Sequence, residues 1–195
     1  MRWLDHRDPI PATLRGAVIA LGNFDGFHRG HQAVAGEAID WAHAEGRPSI
    51  IATFDPHPVR FFKPDVPPFR LTTLEQRQEL YLAAGATAML VFHFDTNLAG
   101  TSAEDFIRTI LIERLGAHGV VTGGDFTFGK GAKGNVDLLR TLGGELGLGS
   151  RVVDAVEKDG IVSSSRIREA LREGDPQLAA DLLTRPFAIR GVVEH

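Results

Sequence analysis

Residues 17–31 read Ala17-Val18-Ile19-Ala20-Leu21-Gly22-Asn23-Phe24-Asp25-Gly26-Phe27-His28-Arg29-Gly30-His31. Five apolar residues run into a turn broken by Gly22 and Gly26, and a helical pattern follows to residue 44. A buried strand that empties into a glycine-broken turn and then a helix is where α/β folds hold phosphate. The turn exposes backbone N–H groups, and the helix N-terminus adds partial positive charge. His28 and His31, three apart around Gly30, can aim two imidazoles at one bound anion. Two histidines at a helix start can also do no more than cap it, but after a buried strand and this turn they predict a nucleotide site with cationic partners.

The same alternation runs through the chain. Apolar, β-rich runs at residues 17–21, 48–54, 88–92, 119–122 and 151–156 alternate with helical patterns at 31–44, 73–83, 103–114 and 136–146. Strands that are apolar throughout and alternate with helices imply a parallel sheet covered on both faces. The expected fold is therefore α/β, a doubly wound parallel sheet with sites at the carboxyl ends of its strands. Thr72 and Glu75 have capping-box spacing before the second helix, and Ser102 is a good N-cap for the third. Residues 56–70 hold five prolines and read as a loop long enough to be functional. Residues 187–193 read as a β-strand. A lone strand cannot bury both its edges, so residues 1–180 read as one domain and 181–195 as a linker and the first strand of a second module.

Composition narrows the function classes. The chain has 195 residues, 43% hydrophobic and 24% charged, which suits one sizeable domain with a real core. A net charge of −4 argues against a general nucleic-acid binder, whose phosphate contacts need a basic face. With no cysteine, disulfide and thiolate chemistry are excluded, which fits a cytoplasmic protein. No apolar run approaches the ~20 residues of a membrane span, and no signal-peptide pattern opens the sequence. The expected partners are small molecules, not nucleic acid or membrane.

A second informative segment is Val162-Ser163-Ser164-Ser165-Arg166-Ile167-Arg168. Serines before a helix over 166–172 are ordinary N-caps, and capping accounts for one of them. Hydroxyls together with free helix N–H groups also make an anion nest, over which an arginine can grip phosphates.

These two segments carry a resemblance. His28-Arg29-Gly30-His31 resembles the HxGH signature of the nucleotidyltransferase superfamily, and residues 162–168 resemble its ISSTxxR signature, with Val for Ile and Ser for Thr. The superfamily includes pantetheine-phosphate, nicotinate-mononucleotide and glycerol-phosphate enzymes, so these signatures leave the acceptor open. Thr53-Phe54-Asp55-Pro56-His57-Pro58 and Gly123-Gly124-Asp125-Phe126-Thr127-Phe128-Gly129-Lys130-Gly131 are similar to the adenylyltransferase module of the bacterial bifunctional riboflavin kinase/FMN adenylyltransferase family. The similarity runs from about Arg15 to the end, and Leu182-Leu183-Thr184-Arg185-Pro186-Phe187 matches the seam before the family's kinase module, with Thr for Gly and Phe for Tyr. The kinase's Pro-Thr-Ala-Asn run does not occur in the chain, so no riboflavin kinase activity is expected of it.

The resemblance implies a Rossmann-like nucleotidyltransferase fold and transfer of AMP from ATP to FMN, giving FAD and pyrophosphate. It implies that ATP meets Gly22, Asn23, Phe24, Asp25, Gly26, His28, His31, Asp125, Ser163, Ser164, Ser165 and Arg168. FMN is implied to lie against Phe54, Asp55, Pro56, His57, Pro58, Phe62, Asp125 and Phe128. Catalysis falls to His28, His31, Ser164 and Arg168. The histidines are expected to face one another across the α-phosphate as electrostatic stabilisers, Ser164 and Arg168 to hold pyrophosphate, and Ser163 to cap its helix. Magnesium is expected to arrive with ATP, with no dedicated protein ligand. The residues agree with a flavin: its flat ring wants aromatic faces and a few directed rim contacts, and Phe54, Phe61, Phe62, Phe126 and Phe128 gather in two strand-end loops. Phe54 and Phe126 also suit a core, whereas Phe62 and Phe128 are better placed to touch a ligand. Asp125 can orient ribose, adenine or a magnesium-bound water, and His57, between two prolines, can be simply a surface-loop residue. Two alternatives stand beside this reading: another small-acceptor nucleotidyltransferase, or a nucleotide- or flavin-binding module without turnover.

Overall fold

The computed structural model describes residues 3–65 and 70–191. Six strands form one parallel sheet: β1 (Leu4–Asp5), β2 (Val18–Leu21), β3 (Ser49–Asp55), β4 (Ala88–His93), β5 (Gly119–Gly123) and β6 (Gly149–Val153), in the order β1-β4-β3-β2-β5-β6. The expected α/β sheet is present. β1, which the sequence pattern did not suggest, is two residues long and adds to the edge of β4.

Side chains alternate between the two faces because strand geometry has period two. Ile19, Leu21, Ile50, Ala52, Phe54, Leu90, Phe92 and Val120 face one way. They meet a helix that starts as α5 (Ala103–Asp105), continues over Phe106–Arg114, and is flanked by α6 (Val136–Glu145). Val18, Ala20, Ile51, Met89, Val91 and Val121 face the other way, onto α1 (Arg29–Ala44) and Tyr81 of α3 (Leu74–Ala83). Both faces are covered, which is why β2 is apolar at every position and β3, β4 and β5 are mostly so.

Several local expectations need correction. Residues 106–114 are π-wound, not α-helical: the N–H of Leu115 reaches the carbonyl of Ile110, five residues back. This puts Phe106, Ile107, Ile110, Leu111 and Leu115 together in the core. The capping box lies one residue later than expected. Thr73 accepts from Gln76 N at 3.2 Å, and Gln76 Oε1 accepts from Thr73 N at 2.8 Å, because the Thr72 hydroxyl is engaged with Gly26, Asp25 and Arg77. The proline-rich loop contains a short helix, α2 (Pro58–Phe62), with proline at its first position, where the missing N–H has no cost; residues 66–69 lie outside the described set.

The last expected strand is also displaced. β6 ends at Val153, and residues 154–156 leave the sheet. Register explains the shift: Gly149 pairs with Gly119, and the Trp41 ring lies over both glycines. Beyond it come α4 (Thr96–Gly100) on the β4 side, and α7 (Ser164–Arg172) with α8 (Pro176–Leu183) at the chain's end. Residues 187–191 form no strand, contrary to expectation, and 192 and 193 lie outside the described residues. The segment runs instead along α3, where Ala188 O accepts from Gln76 Nε2 at 3.0 Å and Arg190 pairs with Glu79 at 2.6 Å.

A Cβ at position 119 would come within 2.2 Å of the Trp41 ring, whereas one at Gly36 of α1 would meet nothing within 4 Å. Gly119→Ala is expected to destabilise the protein by about 1–3 kcal/mol through overpacking. Gly36→Ala should stabilise it by about 0.5–1 kcal/mol, by relieving glycine's backbone entropy in a helix. Urea unfolding of the two variants would read opposite shifts in midpoint.

Candidate active site

From β2 the chain builds β3 and β4 on one side, then crosses over to build β5 and β6 on the other. Such a switch point leaves a crevice beyond the carboxyl ends of the diverging strands. A cavity of about 1340 Å³ opens there, between the segments that follow β2, β3, β5 and β6 and the start of α7.

At one end lies the phosphate-type apparatus. His28 is the N-cap of α1, and its Nδ1 accepts from His31 N at 3.3 Å. With Nδ1 accepting, the neutral ring carries its proton on Nε2. The two rings do not face one another across a gap, as expected, but stack with centroids 3.5 Å apart and planes 20° apart. A phosphate cannot sit between them. They can act only side by side, presenting their edges to one cavity. Phe24 is buried behind them, edge-on to His31 at 5.2 Å, so it supports the pair as well as lining the cavity.

The imidazoles are also not cationic. Burial pushes His28 down to about 4, with the Arg168 guanidinium adding to the shift. Burial and the neighbouring His28, Arg77 and Arg168 hold His31 well below its ordinary value. Positive charge comes instead from Arg168 and the helix N-termini. Ser163 caps α7, accepting from Arg166 N at 3.3 Å, as expected. Ser164 and Ser165 occupy the first helical positions, where backbone N–H groups have no partner within the helix. The Ser164 hydroxyl, however, donates to Asp25 O at 2.8 Å. Ser164 therefore offers an anion its backbone N–H ahead of its side chain.

Asp25 lines the cavity, and its carboxylate is also the hub of a buried set of bonds. Its carboxylate is 2% exposed and accepts from Arg77 Nη2 at 2.9 Å and Arg168 Nη2 at 2.7 Å. It also accepts from Leu71 N, Thr72 N and Thr72 Oγ1. Burial pushes this carboxyl up, but Arg77, the Leu71 N–H and Arg168 outweigh it and hold it below its usual range. Gly26 does not line the cavity. It packs against Leu71, its N–H donates to Thr72 Oγ1 at 2.9 Å, and its φ of +84° needs glycine. Gly22 and Asn23 do line it. Asn23 Oδ1 and His31 Nδ1 are enclosed polar atoms with no protein partner among the described residues, and ligand or water would satisfy them.

The other end is aromatic and apolar. Phe54, Phe126 and Phe128 line it, with Phe126 and Phe128 stacked at 5.7 Å. Phe62, 63% exposed, stands over it from α2, beside Pro58 and His57. His57 is not a plain surface residue: Nδ1 accepts from Val59 N, and burial pushes the ring down to about 4. Asp55 and Pro56 fall outside the lining. Asp55 follows Phe54 on the strand, so its side chain points to the opposite face, where it pairs with Arg70. Phe61 packs on Phe62 and Phe94 without reaching the cavity. Asp125 lines the cavity just after Gly123 and Gly124. Sequence reasoning missed Val156, Ile161 and Arg172 in the wall, and Arg77 behind Asp25. No local signal marks them: Arg77 sits in an ordinary-looking amphipathic helix.

A parallel sheet with a crevice at its switch point, and a helix N-terminus, an imidazole pair and an arginine facing one cavity there, define a Rossmann-like α/β protein. The chain belongs to the FAD synthetase family, whose profile matches residues 10–167. It is 39% identical over 93% of its length to a bifunctional riboflavin kinase/FMN adenylyltransferase of Pseudomonas fluorescens, and 38% identical over 92% to that of Bacillus subtilis (strain 168). It covers 58% and 57% of those relatives, so it spans just over half of the proteins it matches. A crystal structure titled as a macrolide-efflux protein from Streptococcus pneumoniae superposes with a TM-score of 0.83 at 28% identity. It covers 93% of this chain and 59% of that one. Among the described residues no helix is long and apolar enough to cross a membrane.

Two predictions follow from these electrostatics. The unfolded chain takes a proton at His28 near 6.5 and the folded chain only near 4, so between those values the unfolded state binds more protons. Stability should therefore fall as pH drops from 6.5 toward 4, and His28→Gln should flatten that slope by up to about 1.4 kcal/mol per pH unit. Urea midpoints across that range give the slopes, and parallel curves for the two proteins would contradict the assignment. Removing the Asp25 charge should be costly: Asp25→Asn leaves the buried Arg77 and the part-buried Arg168 facing a neutral amide, and is expected to lose about 3–5 kcal/mol of stability by thermal or urea unfolding.

Proposed function

We propose that this chain transfers the AMP moiety of ATP to FMN, giving FAD and pyrophosphate. One observation carries the reading: a single continuous cavity joins an anion-binding end, built from His28, His31, Arg168 and the start of α7, to an aromatic end walled by Phe54, Phe62, Phe126 and Phe128. Its volume of about 1340 Å³ exceeds the roughly 300–1,000 Å³ of a one-ligand pocket, as two bulky substrates require. Family membership and the names of the relatives support the same activity. We place the reaction within residues 1–180.

In this reading an oxygen of the FMN phosphate forms a bond to the α-phosphorus of ATP, while the bond from that phosphorus to the oxygen bridging the β-phosphate breaks. The attacking oxygen is already anionic, so no general base is needed, and none of the cavity histidines is poised to be one. His28 and His31, neutral and stacked, supply N–H donors where charge builds on the α-phosphate oxygens. Arg168 and the free N–H groups of Ser164 and Ser165 receive the departing pyrophosphate. Asp25 aims Arg168 and does not touch nucleotide itself. Phe62 and Phe128 shelter the flavin ring, with His57, Pro58 and Asp125 at its rim.

Among the described residues no group of three or more His, Asp or Glu could hold a metal, and in this reading magnesium arrives as part of the nucleotide complex. There the ion would neutralise phosphate charge.

His28→Ala and His31→Ala should each lower kcat by about 10²–10³-fold, as for lost oxyanion donors, with a smaller change in ATP binding. Arg168→Lys keeps the charge but loses the planar fork that spans Asp25 and the cavity, and should also slow turnover. The assay follows FAD by chromatography and pyrophosphate release, with FMN and, in parallel, pantetheine phosphate and nicotinate mononucleotide as acceptors. Turnover with another acceptor but not FMN, or ATP binding without pyrophosphate release, would overturn the reading.

A further inference from the structure

The tail beyond α8 is tied to the turn between β2 and α1. Arg185 Nη2 donates to Gly26 O at 2.6 Å, and its Nη1 donates to Phe27 O at 3.3 Å and Leu183 O at 3.1 Å. The guanidinium is half-buried, and among the described residues no carboxylate pairs with it. Its partners are therefore main-chain carbonyls, two of them on the residues that immediately precede His28. Gln32 binds the same place from α1: its Nε2 donates to Phe27 O at 2.9 Å and to Thr184 Oγ1 at 2.8 Å.

The turn needs such support. Phe24, Gly26 and Phe27 all have positive φ, at 47°, 84° and 43°. For a phenylalanine the left-handed region costs energy and persists only where the surroundings over-determine it. Two consecutive residues in that region, Gly26 and Phe27, leave carbonyls that side chains satisfy, with Gln32 of α1 donating to Phe27 O only. Arg185 is the group that meets both.

We infer that Arg185 is a positioning residue for His28: by clamping the carbonyls of Gly26 and Phe27 it fixes the entry of α1, and so couples the segment after α8 to the cavity. The clamp closes the side of the turn that Asp25 leaves open. Asp25 ties the turn to α3 and α7 through Arg77 and Arg168, and Arg185 ties it to α8. Farther along, the Ala188 and Arg190 contacts to α3 hold the tail against the same helix that carries Arg77. A displacement of the residues after Thr184 would therefore be felt first at Gly26 and Phe27, and next at His28. A five-donor planar fork suits this task and an ammonium does not, because two adjacent carbonyls must be met by a fixed pair of nitrogens.

The role in turnover rests on the proposed adenylyl transfer; the role in holding the turn does not. Two readouts separate them. In the first, Arg185→Ala and Arg185→Lys are assayed for FAD formation. Arg185→Ala is expected to lose about 10²-fold in kcat, the cost of a small misplacement of a reacting group, with little change in the KM for ATP. Added guanidinium ion should restore part of the rate, and Arg185→Lys should stay impaired. In the second, amide hydrogen exchange is followed in Arg185→Ala without substrates, and should speed at residues 26–31 while the amides of β3 and β4 keep their protection. Unchanged kcat in Arg185→Ala, or unchanged exchange at residues 26–31, would overturn the inference. Exchange that rises equally in every element would also overturn it, by showing a general loss of stability. A parent chain that makes no FAD, with exchange still raised locally in the variant, would sink the proposed reaction and leave the clamp standing.

Discussion

The Asp25 carboxylate, buried between two guanidinium groups, is the constraint on which the rest of the site depends. A lone carboxylate in that position would be untenable, because desolvation of an ion is far costlier than folding can bear. Arg77 from α3, Arg168 from α7 and the amides of Leu71 and Thr72 together offset it. These groups come from two distant parts of the chain, so satisfying one charge brings α3 with the residues before it, and α7, to the turn after β2. The backbone of Asp25 extends the effect, since its carbonyl accepts the Ser164 hydroxyl. The bonds of this one residue tie the turn before α1 to the start of α7, and those two helix ends wall one half of the cavity.

This arrangement explains why the histidines are neutral. His28 and His31 sit stacked in a part-buried place already ringed by Arg168 and Arg77. A third or fourth positive charge there would be repelled and poorly hydrated. In the proposed reaction they would serve as directed N–H donors held at fixed spacing by one helical turn. Donors that need no reorganisation are most effective where charge develops during reaction. The cationic share falls to Arg168, which is kept in place by the carboxylate it answers.

The aromatic half is built by a different principle. Phe54, Phe92, Phe106, Phe126 and Phe128 form a chain of ring contacts from the core to the cavity wall. The wall is thus an outcrop of the core and shares its rigidity. Phe62 is the exception, exposed on the short helix α2 and outside the core that carries the other rings.

The sequence by itself determined the α/β class, the parallel sheet and the two segments that meet at the cavity, because each is written in neighbouring residues: unbroken apolar runs, glycines in a turn, serines before a helix. Local pattern also placed most helices to within a residue or two. What only the tertiary structure decided concerns residues whose partners are far away in the chain. Nothing near Asp25 in the sequence shows that Arg77 and Arg168 close on its carboxylate from 52 and 143 residues away. Thr72 looks like a helix cap until its hydroxyl is found bound to the turn 46 residues earlier. Gly119 and Gly149 look like ordinary strand ends until Trp41 lies across them and sets the register of β6. The final segment alternates like a strand, yet strand formation needs a free sheet edge beside it, and α3 captures it first. Periodicity reports which face of an element is apolar; it carries no information about which distant group will meet a given charge or hydroxyl, and in this protein those meetings shape the site.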